Sequence, residues 1–148
     1  KAEIEVPEQD LDTQLKTILA ASEDKKIQEP KLSVLPNGKM KIEGKLVFFD
    51  GKAIKLPFVI EGSLSAQPKN IIKFEPTNIT LSGLPVKRLM DILGVELTNI
   101  IKFKDSIGRI ELSGNSFLMI IEKFSDQAII EGQIKSVTTG NKSLIINF

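Results

Sequence analysis

The sequence contains no cysteine, histidine, tryptophan or tyrosine. These absences remove disulfides, thiol chemistry, histidine general-base catalysis and the usual zinc ligand sets. Asp, Glu, Lys, Ser and Thr are the reactive groups left. Charge of one sign is also missing: 20 Lys plus Arg stand against 19 Asp plus Glu, and the net charge of +1 gives no bulk attraction for nucleic acid or an anionic membrane. Eight Phe are the only aromatics and no basic stripe accompanies them, which argues against stacking on nucleic-acid bases. The longest apolar runs, Phe117–Ile121 and Leu46–Phe49, fall far short of a spanning helix. No glycine-rich phosphate loop, nucleophile elbow or calcium loop occurs, and no cofactor is expected.

What the chain does have is periodicity. Its 148 residues suit a single domain, long enough to bury about two thirds of the surface of the unfolded chain. Leu11, Leu15, Ile18 and Leu19 recur at helical spacing behind Pro7 and the acidic Glu8, Asp10 and Asp12, which predicts an amphipathic helix over residues 7–22. Val86, Leu89, Met90, Leu93, Leu97, Ile100 and Ile101 predict a second, opening at Pro85 and running to Phe103, with Gly94 as a point of weakness inside it. Strands are expected over residues 31–35, 39–49, 53–64, 71–82, 107–113, 116–123, 128–138 and 142–148. Short turns such as Pro36-Asn37-Gly38, Asp50-Gly51-Lys52 and Gly140-Asn141 separate several of them, so the sheet should be mainly antiparallel.

Glycine stands in the apolar phase of several strands. Gly44 shares a face with Met40, Ile42, Leu46 and Phe48, and Gly62 with Ile54, Leu56, Phe58, Ile60 and Leu64, so both point inward. Two registers keep the inner faces of this hairpin together. Closing with Phe49 opposite Ala53 sets Gly44 across from Phe58 and Gly62 across from Met40, with Lys41 beside Glu61 outside; closing with Phe48 opposite Lys52 gives Gly51 the left-handed slot it prefers but sets Lys45 against Lys55. The same parity in the last hairpin, Thr138 against Lys142, sets Gly132 across from Phe148. Inward glycines allow sharp bending and close approach to the backbone. The fold class expected is α+β: a strongly curved, mainly antiparallel sheet wrapped around one or two long amphipathic helices, with little room for a second layer.

Three stretches, "VPEQDLDTQLKTIL", "ITLSGLPVKRLMDILG" and "EGQIKSVTTGNKSLIINF", resemble the opening helix, the strand with its Gly-Leu-Pro corner and second helix, and the closing hairpin of the LmeA-like phospholipid-binding family. These are exported bacterial proteins related to the tubular lipid-binding (TULIP) superfamily. The resemblance implies a TULIP-like sheet embracing a helix, an apolar groove for acyl chains, a phospholipid partner and an extracytoplasmic location in the periplasm or cell envelope. A chain opening at Lys1 rather than Met fits an exported protein whose N-terminal segment is absent.

On that expectation the groove is lined by Leu11, Leu15, Ile18, Leu19, Phe48, Phe58, Ile60, Leu89, Met90, Leu93, Leu97 and Ile100. The alternative is that the same residues are ordinary core. Lys87 and Arg88, at the start of the second helix, are candidates for a headgroup phosphate, or else two solvated cations. Val47, Phe49 and Val59 lie opposite the inner face, either as an exposed patch for a membrane surface or subunit, or covered by neighbouring elements. Asp10 with Asp12, and Glu43, Glu61, Glu111 and Glu131, are the only carboxylate groupings, and the strand glutamates fall on the outer face. Three functions follow in order: non-enzymatic binding or carriage of (phospho)lipid, a cell-envelope structural or interaction protein with a packed core, and an enzyme.

Overall fold

The computed structural model describes residues 3–20, 26–49, 51–97, 109–121 and 132–148, with backbone alone at residues 48 and 49. In chain order the elements are β1 (Glu3–Pro7), α1 (Glu8–Ala20), β2 (Ile27–Leu35), β3 (Lys39–Phe49), β4 (Ala53–Gln67), β5 (Ile71–Leu81), β6 (Leu84–Pro85), α2 (Lys87–Leu93), β7 (Ile110–Ser113), β8 (Ser116–Ile120), β9 (Ser136–Gly140) and β10 (Ser143–Asn147). The class is α+β, and the described strand pairs are all antiparallel. A seven-stranded sheet in the order β2-β3-β4-β5-β8-β7, with β6 on β5, curves into a half-barrel.

The β3–β4 hairpin selects the first of the two registers: Phe49 pairs with Ala53, Gly44 with Phe58, Met40 with Gly62, and Lys41 with Glu61. The inward glycines now have a reason. A Cβ on Gly44 would lie 3.0 Å from the Gln28 carbonyl oxygen and 3.1 Å from the Phe58 ring. Gly62 sits at a β-bulge in the β4–β5 ladder, where Glu61 pairs with Asn78 but Gly62 with Pro76. The bulge presses the two backbones together, and a Cβ at position 62 would collide with the Glu75 carbonyl and stand 2.8 Å from the Phe74 ring.

Several expectations need correction. Neither helix is long: α1 has 13 residues and α2 only seven. Gly94 ends α2 instead of kinking it, adopting the left-handed conformation (φ 68°, ψ 24°) and donating its N–H to the last carbonyls of the helix. The closing hairpin is not part of the curved sheet: β1, β10 and β9 form a separate three-stranded sheet. Its hairpin closes with Ser143 opposite Gly140, a two-residue turn in which Lys142 (φ 55°) takes the left-handed backbone, so Thr138 faces Ile145. Gly132 lies outside the strand rather than across from Phe148. The small sheet is tied to the turns at one end of the half-barrel. Thr139 Oγ1 donates to Leu35 O (2.6 Å) and accepts from Gly38 N (2.9 Å), while Asn70, 2 % exposed, bonds Gly132 O and Ile134 N. Val47 is buried, not part of an open patch, and Val59 is half-buried. The Phe49 side chain, Glu131 and the predicted helical positions 98–103 lie outside the described residues.

Candidate functional site

The opening of the half-barrel is bridged by α1, and the sequence of the helix explains how. Glu8 and Asp12 are four residues apart, so they share a face and are separated by about 6 Å along the axis. Leu32 and Val34 are two residues apart on the edge strand β2, separated by about 6.7 Å, and both N–H groups point away from β3. The spacings match: Leu32 N donates to Asp12 Oδ1 (2.8 Å) and Val34 N to Glu8 Oε1 (2.7 Å). The next outward position on β2 is Pro30, which has no N–H to satisfy. Across the helix, Gln14 Oε1 accepts from Arg109 Nη1 (3.3 Å), just before β7 at the far rim of the sheet. The helix therefore rests on both rims.

The titration of Asp12 on this seam is displaced. Burial acts to raise its pKa, but hydrogen bonds from Lys16 and from the Leu32 N–H, with the charges of Lys16 and Lys31, outweigh it and hold the carboxyl below its usual value of 3.8. The Lys16 ammonium stands 2.6 Å from Asp12 Oδ2.

Between helix and sheet lies a cavity of about 70 Å³. Its roof is Leu11, Gln14, Leu15 and Leu19 of α1; its floor comes from six strands, with Ile42, Phe58, Ile60 and Phe74 near the middle and Leu112, Phe117 and Met119 toward β7. Gln14 is the only polar residue among the fifteen described residues that line it, so these walls offer dispersion and hydrophobic contact but almost no directional partner. Phe74 and Phe117 meet edge to face, centroids 5.9 Å apart, which fixes one side of the bore. Outside the seam, a groove of about 580 Å³ runs along the end of α1 and the start of β2, lined by Lys16, Leu19, Ala20, Ile27, Gln28, Glu29 and Pro30.

Of the twelve groove residues expected from sequence, the structure brings Leu11, Leu15, Leu19, Phe58 and Ile60 to the cavity. Ile18, Met90 and Leu97 are buried elsewhere. Leu89 and Leu93 face outward, 55 % and 65 % exposed, because α2 presents only Met90 to the core; with Leu84 and Ile92 they form an apolar surface. The Phe48 side chain and Ile100 lie outside the described residues. Lys87 and Arg88 do not line the cavity: Lys87 Nζ is bonded to both Asp91 oxygens (2.8 and 2.9 Å), and Arg88 is exposed. Ten of the fifteen lining residues were not among those expected from sequence: Gln14, Ile27, Leu32, Met40, Ile42, Phe74, Ile110, Leu112, Phe117 and Met119. Gln14 and Leu32 fall in phase with Leu11 and Leu15 and with Val34, a signal that was present; Ile27 lies beyond the expected start of β2. Asp10 is exposed, and among the described residues no cluster of three or more acidic side chains is placed to hold a metal ion. No protein-family model, curated protein or solved structure matches this chain.

Proposed function

We propose that the protein binds and carries a lipid acyl chain in the cavity beneath α1, without catalysing a reaction on it, and does so outside the cytoplasm at the cell envelope. The observation that carries this reading is the cavity itself: fifteen described lining residues from a helix and six strands, Gln14 alone among them polar, beside a packed core. Each methylene moved from water into such a space contributes about 0.8 kcal/mol and asks for no hydrogen-bond partner. At about 70 Å³ the bore is small, and lengthening a ligand within it requires α1 to lift from one rim. The two rims differ. The β2 side holds two short charged bonds and the β7 side a neutral acceptor at 3.3 Å. The test is displacement of a fluorescent acyl probe by fatty acids of increasing length. Affinity that rises with chain length supports carriage, and an absence of probe binding by the folded protein removes it.

A second reading has its own observation. Leu84, Leu89, Ile92 and Leu93 are 55–71 % exposed, an apolar surface suited to an envelope structural or interaction protein whose core carries no cargo. Probe binding separates the two.

A further inference from the structure

We propose that the cavity and the outer groove are one amphiphile site, in which a single acyl chain lies under α1 and a zwitterionic, phosphate-bearing headgroup sits in the groove between Lys16 and Glu29. This rests on the acyl-binding reading above and names its ligand class.

The two spaces share a wall. Leu19 of α1 and Ile27 of β2 line both the cavity and the groove, so these two apolar side chains are the partition between an oily bore and a polar exterior. Glu8 and Asp12 hold Val34 and Leu32, and beyond them the strand leaves its line: Pro30 has no N–H, Glu29 takes a left-handed backbone (φ 52°), and the ladder with β3 shifts register between Gln28 and Lys31. A β-bulge with a non-glycine residue at positive φ turns an edge strand outward and re-aims its side chain. Here the bulge coincides with the groove.

The bore, at about 70 Å³, takes only a short length of one chain until α1 lifts, and the groove, at about 580 Å³, is the roomier space for a polar end.

The charges select the headgroup. Lys16 and Glu29 both line the groove, with side chains 53 % and 68 % exposed, and each already has a partner: Asp12 at 2.6 Å and Lys45 at 2.8 Å. Neither partner needs to be displaced. An ammonium has three donors and a carboxylate about four acceptor sites, so Lys16 can give a proton to a phosphate oxygen while holding Asp12, and Glu29 can accept from a ligand amine while holding Lys45. Of the two charged side chains that line the groove, Glu29 repels a purely anionic head and Lys16 a purely cationic one; a head with both charges meets an opposite charge at each.

Titration calorimetry with three ligands of equal chain length tests this: tetradecanoyl lysophosphatidylethanolamine, tetradecanoyl lysophosphatidylglycerol and tetradecanol. The zwitterionic lipid should bind tightest. Lys16→Gln should weaken it about tenfold, the scale of one lost charged contact, and Glu29→Gln should weaken it similarly while leaving or improving the phosphatidylglycerol analogue. Neither change should alter tetradecanol binding. Melting temperatures are followed throughout; Glu29 is exposed, so its variant carries the test if Lys16→Gln proves unstable. Wild-type affinity in Glu29→Gln, or equal affinity for all three ligands, overturns the headgroup seat while leaving acyl binding intact. If none of the three binds the folded wild type, the acyl-binding reading falls and this site with it.

Discussion

Replacing Asp12 by Ala probes the device that holds the helix over the sheet. The substitution removes the acceptor 2.8 Å from the half-buried Leu32 N–H and the partner 2.6 Å from Lys16. A hydrogen bond to a charged group contributes about 1.5–3 kcal/mol, and the loss leaves a backbone donor on a covered strand edge without its acceptor. The exposed Lys16 pair adds only about 0.3–0.5 kcal/mol. A loss of about 2 kcal/mol lowers the melting temperature of a domain this size by roughly 4–8 °C. Thermal denaturation at neutral pH should show that drop for Asp12→Ala, little for Asp10→Ala on the exposed face, and partial recovery for Asp12→Asn, which keeps an oxygen acceptor. The pH dependence has a definite sign. Asp12 has a depressed folded-state pKa, so its contribution is complete above the unfolded value near 3.8 and disappears as pH falls through the lower folded value. The gap between wild type and Asp12→Ala should therefore close in acid. If Asp10→Ala and Asp12→Ala melt together at neutral pH, the carboxylate-to-strand-edge account is wrong.

Gly62→Ala should destabilise by more than about 2 kcal/mol in chemical denaturation, because the obstructing atoms are the Glu75 backbone and not a flexible side-chain end; a loss below about 1 kcal/mol contradicts the bulge geometry. Phe74→Ala, at a fully buried ring in contact with Phe117, should cost about 3–5 kcal/mol. Leu15→Phe, from the roof of the cavity, should cut acyl-probe affinity at least about tenfold with the melting temperature kept or raised, as for a filled void; unchanged affinity places the probe elsewhere.

The hairpin at the centre of the sheet was legible to within two registers. The inward phase of Met40, Ile42, Phe58 and Ile60 limits the register to two even pairings, between which the charges of Lys41 and Glu61 and the turn preference of Gly51 pull in opposite directions, and the protein adopts the one that pairs the charges. The final hairpin was not legible: glycine at 140 suggests a left-handed turn residue, yet Gly140 is a strand position where a Cβ would stand 3.0 Å from Ile145 Cδ1, and Lys142 bears the turn. The strand β1 is five residues long and its partner β10 comes from the other end of the sequence, so no local pattern marks it.

At the site, period alone identified Leu11, Leu15 and Leu19 on one face of α1 but gave α2 the same standing. An apolar stripe tells which residues share a face; it does not tell which face the sheet covers. On α1 the carboxylates of Glu8 and Asp12 fix that choice by engaging β2, and α2, which ends at Gly94 after seven residues, leaves Leu89 and Leu93 outside. The groove depended on Glu29 and Pro30, where the strand edge departs from its line, and nothing in the alternation of β2 announces a bulge.

Native mass spectrometry of the protein purified from cells, followed by organic extraction and lipid analysis, tests the central claim most directly. The account predicts a discrete added mass that is lost on extraction and recovered as an acyl lipid, and that is reduced in Leu15→Phe. A clean unliganded mass that persists after incubation with lysophospholipid contradicts it, and leaves the surface formed by Leu84, Leu89, Ile92 and Leu93 as the feature around which a function must be sought.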